Sequence, residues 1–241
     1  MQISVLDIMR IFDAEEKTIY EWIAKKGMPC IKVNEQYRFN YIELLEWALE
    51  NKMVLTTDIL ALGERESTQS EVLAEALKWG GIYYDVPGKT REEVLENVVN
   101  LLVFPAEVDK KSLLEMLIAR EIMESTAIGN GIALPHLRNP VILNIDEPFA
   151  ALCFLKNAVD FNAFDREPVS VLFVLISPST KMHLLLMSRL SFCLQDSGFK
   201  KYLRIKASKK ELIAETIIIE SRLVLQRKAS DGKSVEKRGM T

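Results

Sequence analysis

The sequence predicts an α/β protein in two parts: an α/β sandwich, built as a mixed sheet flanked by helices, preceded by a small helical unit with a two-stranded wing. Three observations carry this prediction. Phe149 to Leu155 and Val169 to Ile176 are nearly continuous apolar runs, the mark of strands buried on both faces. Stretches with apolar residues at helical spacing lie before and after these runs, which puts helices against such a sheet. The first fifty residues follow a different rhythm of helix, turn, helix, hairpin and helix, and the polar run Gly63 to Gln69 sets them apart as a linker does.

In chain order, Ser4 caps a first helix whose Val5, Ile8 and Phe12 share one face. Asp13-Ala14-Glu15-Glu16 has the form of a capping box with a carboxylate in place of the hydroxyl. It opens a second helix with Ile19, Trp22 and Ile23 inward, which Gly27 ends and Pro29 confirms. Ile31 to Val33 and Tyr37 to Phe39, joined through Asn34-Glu35, read as a hairpin. Asn40 with Glu43 caps a third helix carrying Ile42, Leu45 and Leu49 on one face. This unit spans 1–52, the linker 53–70 and the sandwich 71–222.

Within the sandwich, Ile82 to Val86 is a strand, and Thr90 with Glu93 makes a capping box opening a helix through Val98, Leu101 and Leu102. Asp109 starts the next helix, with Leu113, Leu114 and Leu117 on one face and Arg120 at its far end. Met182 to Leu194 is apolar-periodic, so His183 falls in the first turn of a helix. Ser208 with Glu211 caps a last helix through Ile217 and Ile218. The remainder, 223–241, is expected to be a disordered basic tail: from Gln226 to Thr241 there are five Lys or Arg against two Asp or Glu, with small residues between.

Composition narrows the classes. With 49% hydrophobic and 27% charged residues the chain has ample material for a core, and its net charge of −3 neither suggests nor excludes nucleic acid. Cys30, Cys153 and Cys193 are odd in number and far apart, which argues against a disulfide framework and for a reducing compartment. None forms a Cys-x-x-Cys pair, so no metal site is expected. Asp7 and Arg10 interrupt the first apolar residues, so no signal peptide is read there. No apolar run approaches the ~20 residues needed to span a bilayer. The expectation is a cytoplasmic protein without membrane or cofactor.

The chemistry gathers in Ser125 to His136, STAIGNGIALPH. Gly129, Asn130 and Gly131 permit backbone at positive φ, and successive free amides in such a turn make an anion-binding concavity. His136, one of two histidines in the chain, is a nucleophile able to accept a phosphoryl group. The residues alone fit a tight turn into a buried strand better, with His136 an ordinary polar residue, because short motifs recur by chance.

The segment resembles the active-site segment of the phosphotransferase-system EIIA domains, type 2, of the fructose/mannitol/nitrogen-regulatory class. The resemblance is carried by Arg120-Glu121, Ser125-Thr126, Gly129-Asn130-Gly131, Ile132-Ala133-Leu134 and Pro135-His136, with His183 lying 47 residues on, and covers Val72 to Ser221. It implies that His136 takes a phosphoryl group from an HPr-like phosphohistidine carrier protein. Arg120 is then assigned to the phosphoryl oxygens, where a planar fork serves well. Thr126 and the amides around Gly129 and Gly131 are implied as further donors, and His183 as a neutral second donor or as a group orienting His136. Leu137 stands where the family commonly has a small residue, and a leucine there could narrow access. The absence of a fused membrane-spanning transport segment favours a nitrogen-regulatory role over sugar uptake.

Residues 1–52 resemble the winged helix-turn-helix of the excisionase and MerR-like family, through Thr18 to Ile23, Gly27-Met28-Pro29 and Tyr37-Arg38-Phe39. That resemblance implies DNA contact, with Lys17, Thr18, Glu21 and Lys25 facing the groove and Arg38 on phosphate. Residues 1–50 carry six basic against nine acidic residues, a poor endowment for neutralising phosphates. A packing or partner-binding module is the alternative, and dimerisation would let two weak half-sites add. Together the two parts read as a phosphoryl-transferring regulator whose state is sensed by the fused unit. The other reading is a non-enzymatic transcriptional regulator or docking protein that uses the sandwich to hold regulatory protein targets.

Overall fold

The computed structural model of the chain describes residues 2–56, 58–59, 71–104, 108–137 and 145–238. The N-terminal unit runs β1 (Gln2–Ser4), α1 (Val5–Phe12), α2 (Glu16–Lys26), β2 (Ile31–Val33), β3 (Gln36–Asn40) and α3 (Tyr41–Glu50). Ser4 caps α1 reciprocally: its hydroxyl accepts from the Asp7 amide, and the Asp7 carboxylate accepts from the Ser4 amide at 2.9 Å. The capping box expected from Asp13 to Glu16 does not form. Asp13 closes α1 instead, at φ 47 with its amide on the Arg10 carbonyl, and Glu15 caps α2 without a side-chain bond. One residue cannot end a helix left-handed and also sit extended at the start of the next. The wing gains a strand that periodicity did not reveal, since β1 pairs with β3 opposite β2.

Asn40 caps α3 through the Ile42 amide at 3.0 Å. Tyr41, Leu44, Leu45, Trp47, Ala48 and Leu49 of α3 are all buried, more than one helical face can supply. The reason is that α3 has two neighbours. Trp47 donates to the Lys26 carbonyl inside its own unit at 2.9 Å, whereas the Tyr41 hydroxyl meets Ser188 Oγ of the sandwich at 2.8 Å. The polar positions left to α3 are Glu43, Glu46 and Glu50, a stripe at i, i+3 and i+7.

The sandwich continues with α4 (Val72–Gly80), β4 (Ile82–Val86), α5 (Arg91–Leu101), α6 (Lys110–Met123), β5 (Ala127–Gly129), β6 (Ile132–Ala133), β7 (Phe149–Val159), β8 (Val169–Ile176), α7 (Thr180–Gln195), α8 (Ser197–Arg204) and α9 (Lys209–Arg238). Among the described residues the sheet order is β4-β7-β8-β6-β5, with β4 parallel to β7, β6 parallel to β8, and the other two pairs antiparallel. β7 divides its side chains cleanly. Ala150, Leu152 and Phe154 join one core with α3, α4 and α7, while Phe149, Ala151, Cys153 and Leu155 join the other with α5 and α6. Both faces of the central strands are thus buried, as their unbroken apolar sequence requires.

Two helix starts follow the sequence in full or in part. Ser208 and Glu211 bond reciprocally. Thr90 accepts from the Glu93 amide, but the Glu93 carboxylate reaches the Lys89 amide one residue early. The disordered tail expected from 223 is replaced by helix, since α9 runs unbroken to Arg238 and Leu223 is buried. Leu223, Leu225 and Gln226 are good helix formers, so charge composition alone misplaces this end. The linker expected over 53–70 lies outside the described residues from 60 onward, as do 239–241. A buried carboxylate ties three helices: Glu220 accepts from the Leu73 and Ala74 amides at 2.9 and 3.0 Å and lies 3.8 Å from Arg189 Nε. Burial pushes its carboxyl up to about 7, against the opposing pull of those amides and Arg189.

Candidate functional site

The parallel pairing of β6 with β8 sets where His136 stands. Ile132 lies opposite Val171 and Ala133 opposite Leu172, and the pattern resumes with His136 opposite Leu175. The Leu175 amide holds the Pro135 carbonyl at 3.1 Å. His136 is 2% exposed. Its Nδ1 is 2.8 Å from the Leu134 carbonyl, an acceptor with no proton of its own, so Nδ1 carries the hydrogen and donates it. Nε2 is left as the outward nitrogen.

Two residues expected beside it are there. Arg120 ends α6 in its last turn, and its Nη1 donates to the Glu124 carbonyl at 2.7 Å, which fixes the plane of the fork. His183 stands in the first turn of α7, whose start is capped by Ser179, with its ring centroid 5.2 Å from that of His136. Its Nδ1 is 3.4 Å from Ser177 Oγ, and its buried Nε2 has no hydrogen-bond partner among the described residues. Burial, then the neighbouring His136, push His183 down to about 3 against a small opposing pull from Glu46. It is therefore a neutral imidazole with one unused ring nitrogen.

The residue that sequence reasoning missed is Glu46. A single oxygen, Oε1, lies 3.0 Å from His136 Nε2 and 2.9 Å from Arg120 Nη2. Burial pushes the Glu46 carboxyl up, but His136 and Arg120 outweigh it and hold the group below the usual carboxylate range. Glu43 and Glu50 of the same stripe line the adjoining clefts with Glu124. Burial, then Glu46 and Glu124, raise Glu50 to about 7 in spite of Arg120. In the sequence these three acids are the polar positions of an otherwise apolar helix, but nothing there says what they face.

Other expectations need correction. The Thr126 hydroxyl donates to Glu121 Oε2, and its amide turns to the same carboxylate, so neither is directed at His136. Gly129, Asn130 and Gly131 have φ of 82, 54 and 70, the left-handed run foreseen, but they form the tip of the β5–β6 hairpin. The Gly131 carbonyl takes the Ser170 amide, while His136 is opposite Leu175. Five residues of strand, at ~3.3 Å each, separate the glycine turn from the histidine by roughly 16 Å. The Asn130 amide is instead bonded to Asp165 at 2.8 Å, and a Cβ on Gly129 would come within 2.6 Å of that carboxylate. Leu137 is buried in the core on the α5–α6 side, since successive strand residues alternate faces. It therefore does not narrow access to His136.

On the N-terminal unit, Lys17, Glu21 and Lys25 are exposed on α2 and Thr18 is half-buried. Lys25 is paired with Glu21 at 3.6 Å, and Arg38 is bonded within the wing to Gln36 at 2.6 Å and to the Tyr37 carbonyl. None of these five touches the histidine site.

By fold and site, this is a two-domain chain: an α/β sandwich with a histidine pair and an arginine at the edge of a mixed sheet, and a winged helix-turn-helix seated over them. The chain belongs to the family described as phosphoenolpyruvate-dependent sugar phosphotransferase system, EIIA 2, whose model matches residues 75–220, and a helix-turn-helix domain model matches residues 4–52. A nitrogen regulatory protein of Pseudomonas aeruginosa is 37% identical over 135 residues, 55% of this chain and 86% of that protein. One of Escherichia coli is 32% identical over 161 residues, 65% of this chain and 88% of that protein. Among solved structures, the nitrogen regulatory protein IIA-Ntr of Neisseria meningitidis matches with a TM-score of 0.52 and 28% identity, over 59% of this chain and 97% of that one. No helix among the described residues is long and apolar enough to cross a membrane.

Proposed function

We propose that this chain is a regulatory phosphocarrier of the nitrogen-regulatory IIA kind, accepting a phosphoryl group on Nε2 of His136 from an HPr-like phosphohistidine carrier protein. The observation that carries this reading is the 2.8 Å contact from His136 Nδ1 to the Leu134 carbonyl. It fixes the tautomer whose lone pair lies on Nε2, on the side of Arg120. In the step, that lone pair forms the new N–P bond while the donor's P–N bond breaks and the donor imidazole keeps the electron pair. Catalysis of such a transfer is mostly positioning and charge stabilisation. Arg120 supplies the charge. His183 supplies an N–H at Nε2 if its Nδ1 accepts from Ser177, and because it is neutral it does not trap the product as a second cation would.

In the same reading the helix-turn-helix reports the state of His136, through duplex DNA contacted by α2 or through a regulatory protein. The exposed Lys17 and Lys25 support DNA contact, and the acidic excess of residues 1–50 makes it weak. The test is incubation of the full chain with the carrier protein charged from labelled phosphoenolpyruvate. Acid-labile, base-stable label is expected on wild type and none on His136→Ala of unchanged circular dichroism. Equal labelling of the two would remove His136 from the reaction. Titration onto duplex DNA at fixed salt, with and without phosphorylation, tests the second part, and equal affinity in both states would separate the two domains' roles.

A further inference from the structure

The carboxylate of Glu46 stands where a phosphoryl oxygen would stand. It is an anionic oxygen, it lies within hydrogen-bond distance of His136 Nε2, and it occupies the outward arm of the Arg120 fork. A phosphorus bonded to Nε2 would have to enter the space that this oxygen fills. The ring's hydrogen bonds add a second obstacle. Nδ1 already faces the Leu134 carbonyl, so with Glu46 at Nε2 both nitrogens face acceptors. Satisfying both takes two ring protons, and an imidazole with two has no lone pair to give.

Glu46 comes from the other domain, on α3, and is held by the rest of that helix. Tyr41 meets Ser188 on α7, Lys52 Nζ donates to Asn130 Oδ1 at 3.2 Å, and the apolar core runs without a break from α1 through α3 into α7. Around it, Glu43, Glu50 and Glu124 line the clefts beside the site. Among the described residues, a phosphohistidine bringing roughly two negative charges would meet four carboxyl groups along these clefts, with Arg120 to offset them.

We propose that Glu46 is an internal occupant of the phosphoryl site, so that seating of the helix-turn-helix domain on the sandwich and phosphorylation of His136 exclude one another. This rests on the phosphocarrier reading. The unphosphorylated chain holds its N-terminal domain closed through Glu46, and the carrier protein transfers only when α3 has withdrawn. Once on His136, the phosphoryl group takes Arg120 from Glu46 and keeps the domain released. Glu46 and Glu50, half-buried in the closed form beside the exposed Glu43, then become an acidic surface available to a basic partner.

The experiment has two arms on the full chain. The first compares transfer rates from the charged carrier protein for wild type, Glu46→Gln and Glu46→Ala. Removing the occupant is expected to raise the rate roughly 5–150-fold, the range of ordinary coupling between sites, with both variants folded by circular dichroism. The second follows amide hydrogen exchange of α3 in wild type before and after phosphorylation, which needs no variant. Protection from Tyr41 to Glu50 is expected to fall when His136 is labelled. Equal rates in all three chains, or unchanged α3 protection in labelled wild type, would overturn the exclusion and leave the phosphocarrier reading standing. Absence of label from every chain would overturn that reading and the exclusion with it.

Discussion

Replacing Arg120 by lysine separates charge from geometry at this site. The guanidinium has two tasks in the structure: Nη1 holds the Glu124 carbonyl at 2.7 Å, and Nη2 reaches the oxygen in front of His136. A lysine ammonium can serve one of these positions but not both in one plane. Loss of one charge-stabilising donor typically costs ~10²–10³ in rate, or ~3–4 kcal/mol of barrier. The raw effect of Arg120→Lys will be smaller than that, because Arg120 also binds Glu46, and loosening the occupant speeds the reaction. The two effects separate in a double-mutant cycle with Glu46→Gln, since groups sharing a partner are not additive. In the Glu46→Gln background the full ~10²–10³ loss is expected, and in the native background less. The assay is single-turnover quench of transfer from the charged carrier protein, beside thermal denaturation to show that the fold is kept. Arg120→Lys with the parental rate in both backgrounds would refute the assignment of Arg120 to the phosphoryl oxygens.

Two further outcomes follow from the buried acids. The folded state raises Glu50 from 4.5 to about 7; its contribution to the closed form is present in full below the unfolded value and is lost as pH rises through about 7. Protection of α3, taken relative to the intrinsic base-catalysed exchange rate, should therefore fall as pH rises through about 7, and Glu50→Gln should flatten that fall; an unchanged fall would show that another group is titrating. Glu220→Ala leaves the Leu73 and Ala74 amides without their acceptor and Arg189 without that carboxylate, at a cost of about 3–5 kcal/mol. With ~2–4 °C per kcal/mol for a chain of this size, Tm should drop by roughly 6–20 °C, and a smaller drop would mean that water or repacking replaces the carboxylate.

Much of the fold was legible because its signals are local. The apolar runs of β7 and β8 mark strands whatever surrounds them, and Ser4, Asn40, Asp109 and Ser208 cap the helices they precede. Arg120, His136 and His183 were legible through the family resemblance of the segment that ends in Pro135-His136. What failed was inference from nearness in sequence to nearness in space. Gly129 to Gly131 lie a few residues before His136, but β6 is pinned in register along β8 and carries the histidine to the far end of the strand. Thr126 was assigned to the ligand without regard to Glu121, which claims its hydroxyl. Leu137 was placed beside the nucleophile, although a strand turns the next side chain to the other face. Glu46 could not be found by any motif, because its partners are on another domain and only the seating of α3 brings them together.

Glu46 and His136 belong to one chain, ninety positions apart, and this fixes the arithmetic of any switch built on them. A tethered group acts at an effective concentration set by its tether, commonly millimolar for short flexible connections, and dilution or overexpression leaves it unchanged. On the proposed function, a phosphoryl donor competes with a fixed opponent. The proposed charging of His136 would then have a threshold set by the donor's own abundance and phosphorylation, with the strength of the opposing Glu46 the same however many copies of this chain are made.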